Sequence, residues 1–207
     1  MALIKLSVQS RTSLEKRESN REFENLVAQL MDTNPEVRRW AARDLLDHIS
    51  SSGVLVERLQ MERDVSVRAV ILTTLTRLGD ATAVAGLVAC MRSEDAAIRN
   101  EAIEAMKQLP DAVAPIMHDL LHEPNSDMRI FAVNILESLC HPRVEQWLRE
   151  VVESDLEVNV CATAVDLLGE VGSADSLASL EALKARFSNE PYIQFAADVA
   201  IKRIMEN

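Results

Sequence analysis

Aromatic residues are scarce in this chain: they make up 3% of its 207 residues, although 48% of the residues are hydrophobic. The core is therefore expected to consist of Ala, Leu, Val and Ile, which suits the packing of helix on helix. No apolar run approaches the ~18 residues that a membrane-spanning helix needs, and the apolar run within residues 1–10 is too short for a secretory signal. We therefore expect a cytoplasmic protein that does not enter a membrane.

Cysteine and glycine are also few. The three cysteines, Cys90, Cys140 and Cys161, are far apart and form no CxxC pair, which favours a reducing compartment over a disulfide framework. The five glycines form neither of the phosphate-holding patterns GxxxxGK and GxGxxG, and no serine lies in GxSxG. Cysteine and histidine are adjacent only at Cys140-His141, before Pro142, and this adjacency alone places no base on the thiol. We expect no enzyme activity and no cofactor.

Positive charge is in deficit, and the formal net charge is −11. Residues 1–22 hold five basic and three acidic groups, a sum of +2, so the rest of the chain carries −13. Such a surface repels nucleic acid and anionic membranes, although a local basic stripe is compatible with it. We expect no nucleic-acid partner and no membrane partner, and a basic or neutral protein surface is easier to accommodate.

Equivalent residues recur about every thirty positions along the chain. In most copies an apolar residue is followed by a small or apolar residue four positions later and by apolar residues eight and eleven positions later. These offsets fall on one stripe of an α-helix, and the small residue lets another helix approach closely. The six equivalents of the first position are Val37, Val67, Ile98, Met128, Val160 and Ile193.

Helix starts and stops agree with this period. Asn or Asp, the preferred N-cap residues, lies three positions before the stripe in the first four copies, and Glu takes this place in the last two. Gly79, Pro110 and Gly172 follow the stripe as stops, and a second apolar-periodic run comes after each. Each repeat is therefore predicted to be two antiparallel helices stacked on their neighbours. The predicted starts are Asn34, Asp64, Asp95, Asn125, Glu157 and Glu190.

The pattern Asp-x-x-Val-Arg-x-x-Ala-x-x-x-Leu, repeated about every thirty residues, resembles HEAT repeats, and most of all the short bacterial type named after phycobilin lyase subunits. The resemblance covers residues 34–207, with a half repeat before them. It implies an all-α fold, a right-handed α-α superhelix (solenoid) of about five to six HEAT-like helix pairs. We predict a tail or arm at 1–18, then one solenoid domain over 19–207 that begins with a capping helix at 20–31.

An arginine directly follows the first stripe position in four of the six copies. Cys161 and Gln194 take its place in the fifth and sixth copies. Side chains at one repeat position should lie in a row, and we interpret the row as a structural ladder bonded to cap carboxylates or to carbonyl groups of adjacent repeats. The alternative is an anion-binding stripe. The ladder residues are Arg38, Arg68, Arg99 and Arg129.

Six other side chains are candidates for contact with a partner. Trp40 lies off the main stripe, so it packs on the capping helix or belongs to a contact surface. His118 and His122 lie four apart on one helix face, a spacing that can hold a metal, but two ligands are not a site, and we predict a solvated face without metal. Trp147 aligns with an apolar position, which favours the core, and Arg149 flanks the binding face. The set is Trp40, Arg58, His118, His122, Trp147 and Arg149.

Binding without catalysis is the function that these patterns favour. We predict a protein–protein interaction module or scaffold that presents a concave helical groove, lined by the second helices, to a protein or peptide. The alternative implied by the resemblance is a phycobilin lyase-like subunit acting in chromophore attachment, which needs an apolar cleft. Nucleic-acid binding is a third hypothesis, and the acidic charge opposes it. The apolar second repeat and the N-terminal arm make a homodimer possible.

Overall fold

The computed structural model describes residues 21–206. The predicted arm at 1–18 lies outside the described residues. Within the described range all regular structure is helical, with twelve α-helices, two short 3-10 helices and no strand, so the prediction of an all-α solenoid of HEAT-like repeats is confirmed. No described helix has both the length and the apolar character that a bilayer crossing requires. The chain divides into two compact units, Met1–Cys90 and Met91–Asn207, and the prediction of a single solenoid domain stays a prediction.

The first unit contains the predicted capping helix and two helix pairs. The capping helix α1 packs on α2, the first helix of repeat one. First helices then pack side by side, α2 on α4, and second helices do the same, α3 on α5. The five helices are α1 (Phe23–Leu30), α2 (Pro35–Asp44), α3 (Ser52–Met61), α4 (Val65–Leu78) and α5 (Ala81–Cys90), and a 3-10 turn, Leu45–Asp47, follows α2.

The second unit continues the alternation of first and second helices. Its first helices pack in chain order, α6 on α8, α8 on α10 and α10 on α12, and the second helices α9 and α11 pack on each other. The helix α12 also packs on α11. The helices are α6 (Ala96–Met106), α7 (Pro110–Leu121), α8 (Ser126–Leu136), α9 (Val144–Ser154), α10 (Val158–Val171), α11 (Leu177–Arg186) and α12 (Pro191–Glu206), with a 3-10 turn at Ala174–Ser176.

The first four predicted N-caps form, and the fifth does not. A side-chain oxygen of each Asn or Asp accepts a hydrogen bond from a backbone N–H in the first helical turn, which satisfies one of the orphan donors there. The Glu157 side chain makes no such bond; instead, Asp155 Oδ1 accepts from the Glu157 N–H at 2.9 Å. The four caps are Asn34, Asp64, Asp95 and Asn125.

The apolar stripe forms the core. All six residues at its second position are 0% exposed, as expected where first helices approach each other closely. The stripe weakens at its last position, because Val171 is the final residue of α10 and is 47% exposed. The six fully buried residues are Ala41, Ile71, Ala102, Ala132, Ala164 and Ala197.

The apolar helix α5 is buried on one face. Gly86 faces Val56 of α3, and a Cβ atom at Gly86 would overlap the methyl groups of Val56. The opposite face of α5 exposes Ala85 and Ala89. This helix therefore approaches α3 closely and leaves only small side chains on its outer face.

Candidate functional site

An open groove with a volume of about 500 Å³ lies between α2 and α4 in the first unit. The prediction assigned the binding groove to the second helices, whereas first helices line this one. The helix α2 contributes Arg39, Trp40 and Arg43, and α4 contributes Val70, Thr73, Thr74 and Arg77.

The helical period explains why these side chains converge. Arg39 and Arg43 are four apart on α2, with Trp40 beside them, so the three share one face. The α4 residues are spaced three, four and seven apart, which again defines one stripe. The fully buried stripe residues of both helices lie outside this lining. Packing of α2 on α4 therefore leaves the two outer stripes side by side.

Trp40 is the central apolar side chain of the groove. It is 50% exposed, which is unusual for so large an aromatic residue. The guanidinium carbon of Arg43 lies 4.1 Å from the centroid of the Trp40 ring, in the geometry of a cation–π contact. Arg43 also donates to Asp44 Oδ1 from Nε at 2.9 Å and from Nη2 at 2.7 Å. These contacts hold the cation against the indole.

A buried threonine forms the floor of the groove. The Thr74 side chain is nearly inaccessible, and its hydroxyl donates to the carbonyl of Ala42 on α2 at 3.0 Å. The carbonyl of Val70, one turn earlier on α4, lies at the same distance. Since a hydroxyl has one proton, the two carbonyl groups share it. This bond ties α4 to α2 below the groove.

The groove is locally positive in an acidic protein. Its lining holds three arginines and no carboxylate. Arg39 Nη1 lies 3.4 Å from Ser66 Oγ, and among the described residues neither Arg39 nor Arg77 has a carboxylate within ion-pairing distance. Asp44, the partner of Arg43, is shared with Arg21, whose Nε lies 3.1 Å away. The groove therefore attracts anions although the whole chain carries −11.

Arg58 is held in an ion pair within the first unit, and its role in binding stays a prediction. Its Nε and Nη2 lie 2.9 and 2.7 Å from Glu62 Oε2, and Arg38 donates to both oxygens of the same carboxylate at 2.7 and 2.8 Å. Burial by itself would raise the pKa of Glu62, but bonds from Arg38, the Asp64 backbone and Arg58 outweigh it and lower this pKa to about 2. The structure therefore places Arg58 in an internal ion pair.

Trp147 cannot contact a partner, because it is 0% exposed. Its ring stacks on His141 with centroids 4.9 Å apart, and the Arg143 guanidinium carbon lies 4.9 Å from it. The prediction that places Trp147 on the binding surface is therefore wrong, and its core alternative fits. Arg149 on α9 is half-buried and donates to the Asp175 carbonyl at 3.2 Å.

The two histidines of α7 lie side by side. Their ring centroids are 4.3 Å apart, and His122 Nδ1 donates to the His118 carbonyl at 2.8 Å. The nearest carboxylate to His118 is Glu150, 4.0 Å from Nδ1. Within residues 21–206 no three metal-binding side chains come together. The six candidates thus divide between the units, with Trp40 and Arg58 in the first.

Each of the four predicted ladder arginines bonds to the loop before its own helix. Each guanidinium donates to backbone carbonyl groups five or six residues before it, in the loop that leads into its helix. Arg38 and Arg129 also reach a carboxylate of the next loop, Glu62 and Asp155, and Arg129 does so at 2.7 and 3.0 Å. These contacts are consistent with the structural role predicted for Arg38, Arg68, Arg99 and Arg129, which stays a prediction.

Sequence reasoning missed the residue that replaces the ladder in the fifth copy. Cys161 stands where an arginine stands in the first four, and Arg186, at the end of α11, reaches the same loop. It donates to the carbonyl groups of Val152 at 2.8 Å and Asp155 at 2.9 Å, and to that of Glu153. Burial raises the pKa of the Cys161 thiol. The available signal was the presence of Arg186 close to a repeat that has no arginine at the ladder position.

Sequence reasoning also missed the groove arginines Arg39, Arg43 and Arg77. The spacing of Arg39, Trp40 and Arg43 on one helix face was the signal within α2. Nothing local connects them to Arg77, which is 34 positions beyond Arg43 in the sequence. The three arginines meet because first helices pack side by side.

Comparisons with known proteins found one family model and several solved structures. A family model described as HEAT repeats matches residues 52–127 and 113–199. Among solved structures, an engineered protein is 21% identical, with 88% of this chain and 96% of that chain covered and a TM-score of 0.40. The complex of CpcE and CpcF of phycocyanin lyase from Nostoc sp. PCC7120 is 18% identical, with 87% and 94% covered and a TM-score of 0.36. No curated protein matches the sequence.

Proposed function

The chain belongs to the HEAT-repeat family, and from this premise we propose that it is a protein-interaction module that holds a segment of a partner protein in the groove between α2 and α4. Stacked helix pairs form extended surfaces that suit this use. The observation that carries the proposal is the half-exposed Trp40, set in the groove among three arginines.

The composition of the groove supports recognition of a protein. Trp and Arg are over-represented among the residues that contribute most to binding energy at protein interfaces. Trp40 offers a large apolar surface that loses little conformational freedom on binding, since it is already held against Arg43. An exposed apolar side chain rimmed by polar groups is typical of an interaction site.

The dimensions of the groove suit an extended peptide. Its volume of about 500 Å³ lies in the range of about 300–1,000 Å³ that ligand sites occupy. The lining residues of α4 run from Val70 to Arg77, a rise of about 11 Å, along which roughly three residues of extended chain can lie. The expected ligand is therefore a short segment rather than a whole domain.

The chemistry of the lining supports binding without catalysis. Groove catalysts need a positioned base or an activated nucleophile, and the lining residues include no His, Cys, Asp, Glu or Lys. We also propose a cytoplasmic location, which the three free cysteines support, because a reducing compartment keeps thiols free. A phycobilin lyase-like role is the competing function, and the test below can detect it.

The test compares capture of partners by the wild-type chain, Trp40→Ala and Phe195→Ala. Phe195 is 68% exposed on α12 and serves as the matched aromatic control in the other unit. We expect Trp40→Ala to weaken capture of the main partner about thirtyfold, while Phe195→Ala captures as much as wild type. Quantitative mass spectrometry of the eluates is the measurement, with circular dichroism to verify folding.

Equal capture by wild type and Trp40→Ala would overturn the proposal. A bound bilin, recognised by its visible absorbance, would favour the lyase-like role instead. Loss of capture in Phe195→Ala alone would move the interface to α12.

A further inference from the structure

We propose that the segment held in the groove is acidic: an extended stretch with at least two carboxylates next to an aromatic or aliphatic side chain that packs on Trp40. This inference rests on the proposed function and adds the chemistry of the partner. It replaces the expectation of a basic or neutral partner, which considered only the net charge of the chain.

The cations of the groove are available to a ligand. Within residues 21–206, Arg77 has no carboxylate partner, and the one side-chain hydrogen bond of Arg39 is a long one, 3.4 Å, to the Ser66 hydroxyl. A guanidinium binds a carboxylate through two parallel hydrogen bonds, which gives direction as well as attraction. Two carboxylates of an extended segment can therefore be bound from opposite walls, one by Arg39 on α2 and one by Arg77 on α4.

Trp40 defines the apolar part of the recognition. The Arg43 guanidinium lies over the ring, 4.1 Å from its centroid, and covers one face. Half of the Trp40 surface stays exposed, which leaves room for one apolar side chain of the ligand. Because Arg43 already has Asp44 as a partner, its main role here is to orient the indole.

The threonine beside the tryptophan offers an acceptor for the peptide backbone. The Thr73 hydroxyl donates its proton to the Ala69 carbonyl at 2.8 Å. Its oxygen keeps lone pairs, so it can accept a hydrogen bond from a backbone N–H of the ligand. The groove thus combines cations for side chains with an acceptor for main chain.

Charge distinguishes an acidic peptide from the other candidate occupants of the groove. The segment 1–20 of the same chain carries four basic and two acidic groups, so it has the same sign as the groove and is repelled. Nucleic acid would meet the three arginines but also the acidic remainder of the molecule. A short peptide in the groove is not repelled by the acidic remainder, because charges more than about 8 Å away are screened at physiological salt.

The experiment is a selection from a random peptide library on the full-length protein, followed by fluorescence anisotropy of the selected peptides. Four proteins are compared: wild type, Trp40→Ala, a groove triple variant and a control triple variant with the same change of charge. The groove variant is Arg39→Gln, Arg43→Gln and Arg77→Gln, and the control variant is Arg63→Gln, Arg92→Gln and Arg203→Gln.

We expect selected peptides to be rich in Asp and Glu beside an aromatic or aliphatic residue. Arg43 and Arg77 are exposed and Arg39 is half-buried, so replacing any one of them should weaken binding about twofold to fivefold, and the groove variant should weaken it about thirtyfold. The control variant should bind within about twofold of wild type. Replacing the Asp and Glu of a selected peptide by Asn and Gln should cause a loss similar to that in the groove variant, and salt should weaken the wild-type complex.

The two proposals fail in different ways. Peptides that depend on Trp40 but are neutral or basic, and that bind the groove variant normally, would overturn the acidic ligand and retain the proposed function. Absence of any selected peptide, or peptides indifferent to both Trp40→Ala and the groove variant, would overturn both. Tighter groove-dependent binding of a single-stranded oligonucleotide than of any peptide would also overturn the inference.

Discussion

Glu62 is the residue on which two arginines of the first unit converge. It is 3% exposed and lies between Arg38 and Arg58, with a further bond from the Asp64 N–H at 2.9 Å. A buried charge persists only when it is paired and hydrogen-bonded. Removal of the carboxylate charge would leave Arg38, itself buried, without compensation.

We therefore expect Glu62→Gln to lower the free energy of unfolding by about 3 kcal/mol at neutral pH, the cost of breaking a buried ion pair on one side. Urea denaturation measures this change. Glu57→Gln, an exposed position on α3, the helix that Glu62 follows, is the control and should stay within about 0.5 kcal/mol of wild type. Equal effects of the two substitutions would show that the network at Glu62 adds no stability.

The same network predicts a pH dependence. The pKa of Glu62 falls from 4.5 to about 2 in the folded state. A carboxyl group with a depressed folded-state pKa adds stability above the unfolded value, and this contribution is lost as the pH falls from about 4.5 through about 2. The difference in unfolding free energy between wild type and Glu62→Gln should therefore shrink over that range. A difference in unfolding free energy that stays constant down to pH 2 would contradict this prediction.

At the scale of helices, one hydroxyl ties α4 to α2 beneath the groove. Thr74→Val keeps the shape of the side chain but removes the donor to the Ala42 carbonyl. We expect a loss of about 1 kcal/mol in the free energy of unfolding and weaker binding of the ligand in the groove. Thr76→Val is the control, because the Thr76 hydroxyl bonds only within its own helix, to the Leu72 carbonyl at 2.8 Å. An equal loss in both variants would show that the bond between α4 and α2 contributes no more stability than a bond within one helix.

The close approach of α5 to α3 gives a second prediction at this scale. A Cβ atom at Gly86 would overlap Val56, whereas one at Gly53 meets nothing within 4 Å. We expect Gly86→Ala to destabilise the protein by about 1–3 kcal/mol through overpacking. Gly53→Ala should be neutral or stabilise it by about 0.5 kcal/mol, because it restricts the unfolded chain. Thermal unfolding of the two variants measures this difference in stability. A Gly86→Ala variant more stable than wild type would show that α5 moves away from α3 with no loss of stability.

At the scale of the whole molecule, the groove and the acidic remainder have opposite signs. The N-terminal segment is basic, so it should neither fill the groove nor compete for it. We expect deletion of residues 1–18 to leave affinity for an acidic peptide within about twofold of wild type, as measured by anisotropy. A marked gain in affinity would identify the segment as an occupant of the groove, and a marked loss would make it part of the binding surface.

The sequence by itself determined the helices and the residues that join them. A stripe repeated every thirty residues predicted six buried positions where first helices meet, and all six are fully buried. Four of the caps also followed from Asn and Asp. These features depend on neighbours within one or two turns, so the local order of residues is sufficient to specify them.

Only the tertiary structure decided which distant side chains share a site. Arg77 joins Arg39 and Trp40 because α4 packs beside α2, and Arg186 comes to the loop where Cys161 replaces an arginine. The burial of Trp147 and the pairing of Arg58 with Glu62 also depend on contacts of this kind. The apolar stripe sets how the helices pack, and the outer faces follow from that packing. Exposed residues have no sequence period of their own, so the sequence does not show which of them become neighbours.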